Sequence, residues 1–264
     1  MVSFERVFVS CAAIMALAAF ACGGDGGDDD VRGETVRPTN PAGGETVGPT
    51  NPTGEETVRP TNPAALVLLE PVSRFALALD DLPVGFFTDR ASTFVLDSAL
   101  YGGTSIFEST ERGQQMLESW GYVGGYETAF EPEQRMTAVL NGGYYVAVEV
   151  HLFANPEGAD EAFEYFESRL ILASDKLSSP MVGNQSSAWK LTSGKVPGSN
   201  SDAVYHRVVF ERGNLVAVVQ TYGADTLMTI DTALDLAEIV DLKALGEIPA
   251  VEPTPLGQTS ESGS

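Results

Sequence analysis

The chain has 264 residues with 15 basic against 37 acidic side chains, a formal balance of −22, and 43% of its positions are apolar. That length is ample for one buried core and thin for two once a leader and a linker are subtracted. So negative a charge argues against nucleic acid as a partner, because affinity for a phosphate backbone comes mainly from clustered Lys and Arg.

After a short head from Met1 to Arg6, Val7 to Ala21 is an uncharged and largely apolar run that ends in Ala19, Phe20 and Ala21, with Cys22 next. A spanning helix needs about 20 residues to cross roughly 30 Å of hydrocarbon, so the run is short for a permanent anchor and reads as an export signal over residues 1–21. This leader resembles that of bacterial lipoproteins, in which a small-residue box is followed at once by a cysteine that receives a diacylglycerol thioether. The resemblance implies that Cys22 is the lipidated amino terminus of the mature protein, that the membrane is a partner through that lipid, and that the protein lies in the bacterial cell envelope, outside the cytoplasm. Ala19 and Ala21 also satisfy the small-residue rule of ordinary signal peptidase, which would release a soluble secreted form. The other cysteine, Cys11, falls inside the discarded leader, so the mature chain has no pair with which to close an internal disulfide.

Residues 22–64 show no apolar periodicity. GETVRPTNPAG from Gly33, GETVGPTNPTG from Gly44 and EETVRPTNPA from Glu55 repeat one unit of eleven residues, set by Pro38, Pro49 and Pro60. A unit with one Val as its substantial apolar side chain cannot bury a core, so a disordered tether is expected. From Gly23 to Ala64 its full extension is roughly 130 Å at about 3.1 Å per residue. The acids Asp25, Asp28, Asp29 and Asp30 would be repelled by anionic lipid, which favours standing off from a bilayer.

A globular domain is expected over 65–250, with 26 acids and 11 bases between Leu66 and Ala250, followed by a polar tail over 251–264. In chain order, a helix is predicted over about Ser109 to Ser119, stopping near Gly121, and then a strand from Tyr122 to Phe130. Met136 to Leu140 and Tyr144 to Phe153 flank Asn141, Gly142 and Gly143, which reads as a hairpin. Next comes a helix with Asn155 as cap, Pro156 at its first position and a stripe of Ala159, Ala162, Phe163, Phe166 and Leu170. Strands over Ser187 to Thr192, Ala203 to Glu211 and Leu215 to Tyr222 follow, the last two flanking Arg212, Gly213 and Asn214. The final helix is expected to be capped by Asp225, to run through Leu227, Ile230, Ala233, Leu234, Ala237, Val240 and Ala244, and to end at Gly246. The plan is two strand-strand-strand-helix units, hence an α+β fold: an antiparallel sheet with helices packed on it.

The stretches DDLPVGF from Asp80 and WGYVGGYETAF from Trp120 are similar to segments of uncharacterised extracytoplasmic lipoprotein domains. The sheet-plus-helix plan also resembles the layout of the photosystem extrinsic protein PsbP, by analogy of layout, and a shared layout implies no activity.

The search for chemistry starts from the two histidines, His151 and His206. His206 shares the apolar face of Val204, Val208 and Phe210, a core position. His151 and Glu149 share one face of an alternating strand; together they would make a base or half a metal site, and separately they make an ordinary solvated sheet face. No G-x-S-x-G elbow, zinc motif or P-loop is present, and no cofactor is expected. The aromatic set Tyr122, Tyr126, Phe130, Tyr144, Tyr145 and Phe153 would line a cleft or simply pack. The leading expectation is a non-enzymatic domain that binds a protein or a small molecule, with no catalytic or metal residue assigned. Two alternatives remain: a secreted hydrolase using paired carboxylates, and a binder of cations or basic peptides that exploits the acidic charge.

Overall fold

The computed structural model describes residues 66–250, except 172–173, 178–179 and 197–198. Cys22, the three repeats and the tail from 251 lie outside the described residues.

Strands β1 (Phe86–Thr88), β2 (Phe94–Leu96), β3 (Tyr122–Pro132), β4 (Tyr145–Phe153), β5 (Asp175–Lys176), β6 (Gln185–Lys195), β7 (Asp202–Arg212) and β8 (Leu215–Ala224) alternate with helices α1 (Ser98–Gly102), α2 (Thr110–Ser119), α3 (Arg135–Leu140), α4 (Pro156–Ile171) and α5 (Asp231–Ala244). The strands form one sheet in the order β1-β3-β4-β8-β7-β6-β5, with β2 pairing β3 beside β1. Every pairing is antiparallel. The expected α+β fold, one antiparallel sheet with helices packed on it, is present; β6, β7 and β8 precede α5 as expected, while the first expected unit keeps two of its three strands, β3 and β4, ahead of α4.

The two helices lie on opposite faces, so both faces of the central strands are buried. On one face α5 lays Ala233, Leu236, Ala237 and Val240 against Val148, Val208 and Val219, and the stretch Phe75–Leu77 packs beside it. On the other, the expected stripe of α4 meets Val209, Val216 and Val218, with Tyr101 of α1 and Leu117 of α2 completing the layer. Fully burying one such side chain contributes roughly 1.5–3 kcal/mol, which lets the domain hold together without a disulfide.

Local chemistry accounts for most of the boundaries. Asn155 Oδ1 accepts from Gly158 N at 2.8 Å and starts α4, while Ser109 Oγ accepts from Arg112 N at 3.2 Å and starts α2. Helix α5 ends in a Schellman motif: Glu247 N donates to Leu242 O at 2.9 Å, Gly246 N donates to Lys243 O at 3.0 Å, and Gly246 has φ +70°. The β7–β8 hairpin turns on Gly213 and Asn214, with Gly213 at φ +58° supplying the positive value a two-residue loop needs.

Two expectations are corrected. Met136 to Leu140 is not a strand but lies within α3, and Asn141-Gly142-Gly143 closes that helix. Gly143 N donates to Ala138 O at 2.7 Å and Gly142 N to Val139 O at 3.3 Å, a second Schellman closure. The final helix begins at Asp231 rather than beside Asp225. Asp225 is instead paired with Lys190 of β6 at 2.6 Å, and the intervening chain folds over the end of β8, where a Cβ on Gly223 would lie 2.1 Å from Met228 Sδ.

The incoming chain is pinned at the β7–β8 turn. Leu68 N donates to Asn214 Oδ1 at 2.7 Å, and Asn214 Nδ2 donates to Leu68 O at 3.2 Å and to Phe153 O at 2.7 Å. Farther along, the buried Lys243 at the end of α5 donates to Ala76 O at 2.9 Å and to Asp81 Oδ2 at 2.5 Å.

Candidate functional site: a polar patch on the sheet centre

The α4 face of the sheet is not uniformly apolar. Reading across strands, Ala129 faces Ala147, which faces Gln220, which faces Arg207. In the next row toward α4, Glu127 faces Glu149 and Glu149 faces Val218. One row farther, Gly125 faces His151. On the other side, Tyr145 faces Tyr222 and Tyr222 faces Tyr205. Residues directly opposite one another in such pairs hold their Cβ atoms about 5 Å apart, so a set of polar side chains converges over the middle of the sheet.

This patch corrects the simplest expectation for Glu149 and His151, because their face is covered rather than solvated. His151 is 0% exposed and Glu149 is 3% exposed, and the Tyr101 ring lies over the imidazole with centroids 4.3 Å apart. An alternating strand does not reveal whether helices from elsewhere in the chain will cover its polar face, and here α1, α2 and α4 do so.

Tyr122, His151 and Glu149 form a chain of hydrogen bonds. Tyr122 Oη lies 3.3 Å from Leu96 O and 3.4 Å from His151 Nδ1, and His151 Nε2 lies 3.3 Å from Glu149 Oε2. A phenol has one proton to give, so Tyr122 Oη donates to Leu96 O or to His151 Nδ1, and the tautomer of His151 sets the direction of its two contacts. Burial, with Glu149 and then Asp97 adding to it, pushes the Tyr122 phenol far above its ordinary value, which keeps it a proton-bearing donor. Gly125 makes room for this chain, since a Cβ there would sit 2.5 Å from Tyr122 Oη and 2.8 Å from His151 Nδ1. The register of β3 shifts between Tyr122 and Gly124, which re-aims the tyrosine.

Glu149 Oε1, the other carboxylate oxygen, is buried and has no hydrogen-bond partner. Arg207 donates through Nε to Gln220 Oε1. Between these side chains Ala147 keeps part of its surface open, although β4 is an inner strand with partners on both sides. Its neighbours Ala129, Glu127, Glu149, Gln220 and Arg207 are all buried. The result is a narrow opening whose floor is Ala147, flanked on one side by Tyr145, Tyr222 and Tyr205. The Tyr205 and Tyr222 rings are 4.6 Å apart and the Tyr145 and Tyr222 rings 5.7 Å apart.

The aromatic set expected from the sequence does not share one cleft. Tyr126 and Phe130 belong to the core under α5, with Tyr144 packed against it, and Tyr122 and Phe153 pack under α4. Tyr145 alone joins the opening, beside Tyr205 and Tyr222, which sequence reasoning missed because each stands alone in a Val-rich strand. His206 is buried as expected, facing Thr221 across β7 and β8. Burial, and then Lys190, lower it below its ordinary value, against the pull of Asp225 and Asp231.

A second carboxylate pair lies on the outer flank of α4. Gln185 Nε2 donates to Asp160 Oδ1 at 2.6 Å and to Glu211 Oε2 at 2.7 Å. Burial raises the Glu211 carboxyl above its ordinary range, and Asp160 adds to the shift against the lowering by Gln185 and Arg212. Among the described residues no three His, Cys, Asp or Glu side chains converge to hold a metal ion, and no helix is long and apolar enough to cross a membrane.

No protein-family model matches the chain, and no curated protein matches it in sequence. Among solved structures, it is similar to the extracellular domain of PknH from Mycobacterium tuberculosis, with 12% identity and a TM-score of 0.40 over 66% of this chain and 95% of that one. So distant a likeness carries no statement about activity.

Proposed function

We propose that this is an exported binding protein, moored to a bilayer by a lipid on Cys22, whose α+β domain captures a ligand or partner without turning it over. The observation that carries the binding half is the opening over Ala147, where polar and aromatic side chains from four strands meet around a partly exposed alanine. The histidine on which acid–base chemistry would rest is sealed beneath Tyr101, out of reach of a substrate. The mooring half rests on the leader and on Cys22 at its end. Two or three acyl chains hold a protein firmly where a single chain holds marginally.

Intact-mass spectrometry of protein recovered from its host tests the mooring. Acylated Cys22 is the expected amino terminus, and Cys22→Ser should move the protein from membranes to the soluble fraction. An unmodified thiol at position 22 would retire it. Removing Gly33 to Ala64 should leave the domain folded and impair function in cells, and full function after that deletion would show that reach is irrelevant. For the binding half, stabilisation by one compound from a metabolite and peptide collection, reduced by Ala147→Leu, is expected.

One observation favours a second reading, a hydrolase. Asp160 and Glu211 share a single amide nitrogen, so their oxygens come close to the roughly 5 Å spacing at which retaining glycosidases hold their pair. Turnover of nitrophenyl glycosides that is abolished by Glu211→Gln would establish it, and absence of turnover in the wild type would remove it.

A further inference from the structure

We propose that His206 is an acid-sensitive latch for the segment Asp225–Ile230: while it is neutral, Lys190 pins Asp225, and once it takes up a proton that pin gives way and the start of α5 loosens. The latch is independent of what the domain binds.

Two idle polar atoms make the histidine sensitive. His206 and Thr221 face each other across β7 and β8, 4% and 0% exposed, in the same layer as Val208 and Val219. His206 Nδ1 and Thr221 Oγ1 are both buried and have no hydrogen-bond partner among the described residues. A neutral imidazole can leave one nitrogen as an idle lone pair. An imidazolium cannot, because both of its nitrogens carry protons, and a charged donor buried without an acceptor forfeits its hydration. Falling pH therefore favours any rearrangement that brings an acceptor to the ring, by up to about tenfold per pH unit for a single proton.

Burial decides which part of the chain gives. β7 and β8 are inner strands, whereas between Asp225 and Ile230 Met228 alone is buried, and α5 starts at Asp231 without a side-chain cap. The acceptors lie in the same place. The charges that face His206 are Lys190, directly opposite on β6, Asp225 beyond the end of β8, and Asp231 at the start of α5, while β8 presents the neutral Thr221. Lys190 Nζ and Asp225 Oδ1 are 2.6 Å apart, with each side chain 32% exposed. A charge on His206 repels that ammonium and attracts both carboxylates, so it works against the pair from two sides. Burial, and then Lys190, hold the imidazole below its ordinary value, so the latch trips on the acid side of 6.5. The incoming chain is bonded to Asn214 at the opposite end of β8, so acid would reshape the pole of the domain farthest from that attachment.

The test follows the full mature chain by NMR as pH is lowered from about 7.5 to about 4.5, across the ordinary histidine range. It reads the ring signal of His206, with His151 for comparison, and the exchange protection of the amides of Leu227, Ala233 and Leu234, which donate to Ala224 O and Ile230 O. Each exchange rate is divided by that of an unstructured chain at the same pH. Protection at these three amides should fall by about tenfold per pH unit on the acid side of 6.5, while the amides of β7 and β8 keep theirs. His206→Asn should abolish the fall. Lys190→Met, which removes the repelling charge, should raise the His206 midpoint. A uniform loss of protection across the domain would mean that the proton weakens the whole fold and works no latch. Protection that ignores pH, or that follows it equally in His206→Asn, would also overturn the proposal. If His206→Asn does not fold, Lys190→Met decides, and an unmoved His206 midpoint in that variant overturns it.

Discussion

Replacing Lys243 by Met probes how the stretch before the first strand is held on the domain. The ammonium is fully buried, and it bonds Ala76 O and Asp81 Oδ2. Met preserves most of the side-chain volume and removes both donors. Asp81 then loses its counter-ion but keeps Ala78 N as a donor at 2.6 Å, and its side chain is 14% exposed, so water can relieve it in part. Breaking a fully buried pair from one side costs about 3–5 kcal/mol. The partial exposure of Asp81 places this case at the low end, about 3 kcal/mol, which is a fall of roughly 8 °C in midpoint for a domain of this size. Urea unfolding followed by the fluorescence of Trp120 and Trp189 measures it, and hydrogen exchange at Ala78 should accelerate. Adding Asp81→Asn removes the stranded charge and keeps an acceptor for Ala78 N, so the double variant should recover part of the loss. A cost below about 1 kcal/mol, within the range of an exposed pair, or a double variant no better than the single one, would refute the reasoning.

The pH dependence of stability should show two opposed slopes. His206 is depressed from 6.5 in the folded state, so its contribution is complete above 6.5 and is lost as pH falls through that value toward the depressed one. Glu211 is raised from 4.5, so its contribution is present below 4.5 and is lost as pH rises through the folded value. In urea titrations at closely spaced pH, His206→Asn should flatten the first slope and Glu211→Gln the second, and an unchanged profile in either variant would contradict the assignment. Gly158→Ala should destabilise by about 1–3 kcal/mol, because a Cβ at that position would meet Trp120 O at 1.9 Å, and a neutral effect would show that the start of α4 is free to shift. Asn214→Ala removes three hydrogen bonds to Leu68 and Phe153 and should cost about 1–3 kcal/mol. Limited proteolysis should then cut ahead of Phe75 first, and protection there equal to the wild type would show that the pin is dispensable.

Much of the fold was legible because its stop signals are local. Asn155-Pro156 opens α4, Gly246 closes α5, and Arg212-Gly213-Asn214 turns one strand into the next. The same chemistry misled at Asn141-Gly142-Gly143, since a hairpin turn and a helix closure both need a residue at positive φ and Asn-Gly supplies it to either. Asp225 misled for a different reason: its partner Lys190 lies on a strand far back in the sequence, and no pattern around Asp225 reveals it. Strands β1 and β2, of three residues each, are too short to show a period. The candidate site was half visible. That Glu149 and His151 share a face follows from alternation, but the burial of that face depends on α1, α2 and α4 arriving from other parts of the sequence. Ala147 carried no signal at all, because an alanine in a strand is unremarkable until its neighbours leave it uncovered.

The attachment at the β7–β8 turn decides how the molecule yields to a pull. Load arriving through Leu66 falls first on the amide of Asn214 and then on the ammonium of Lys243, and both lie ahead of every strand in the path of the force. If these give way, the stretch from Leu66 to Leu82 pays out roughly 55 Å of slack at about 3.3 Å per residue, while the sheet stays whole. The opening over Ala147 lies six residues from that pole along β4, about 20 Å away. Under the proposed role of a tethered binder, a bound ligand would therefore be let out on a longer leash rather than dropped.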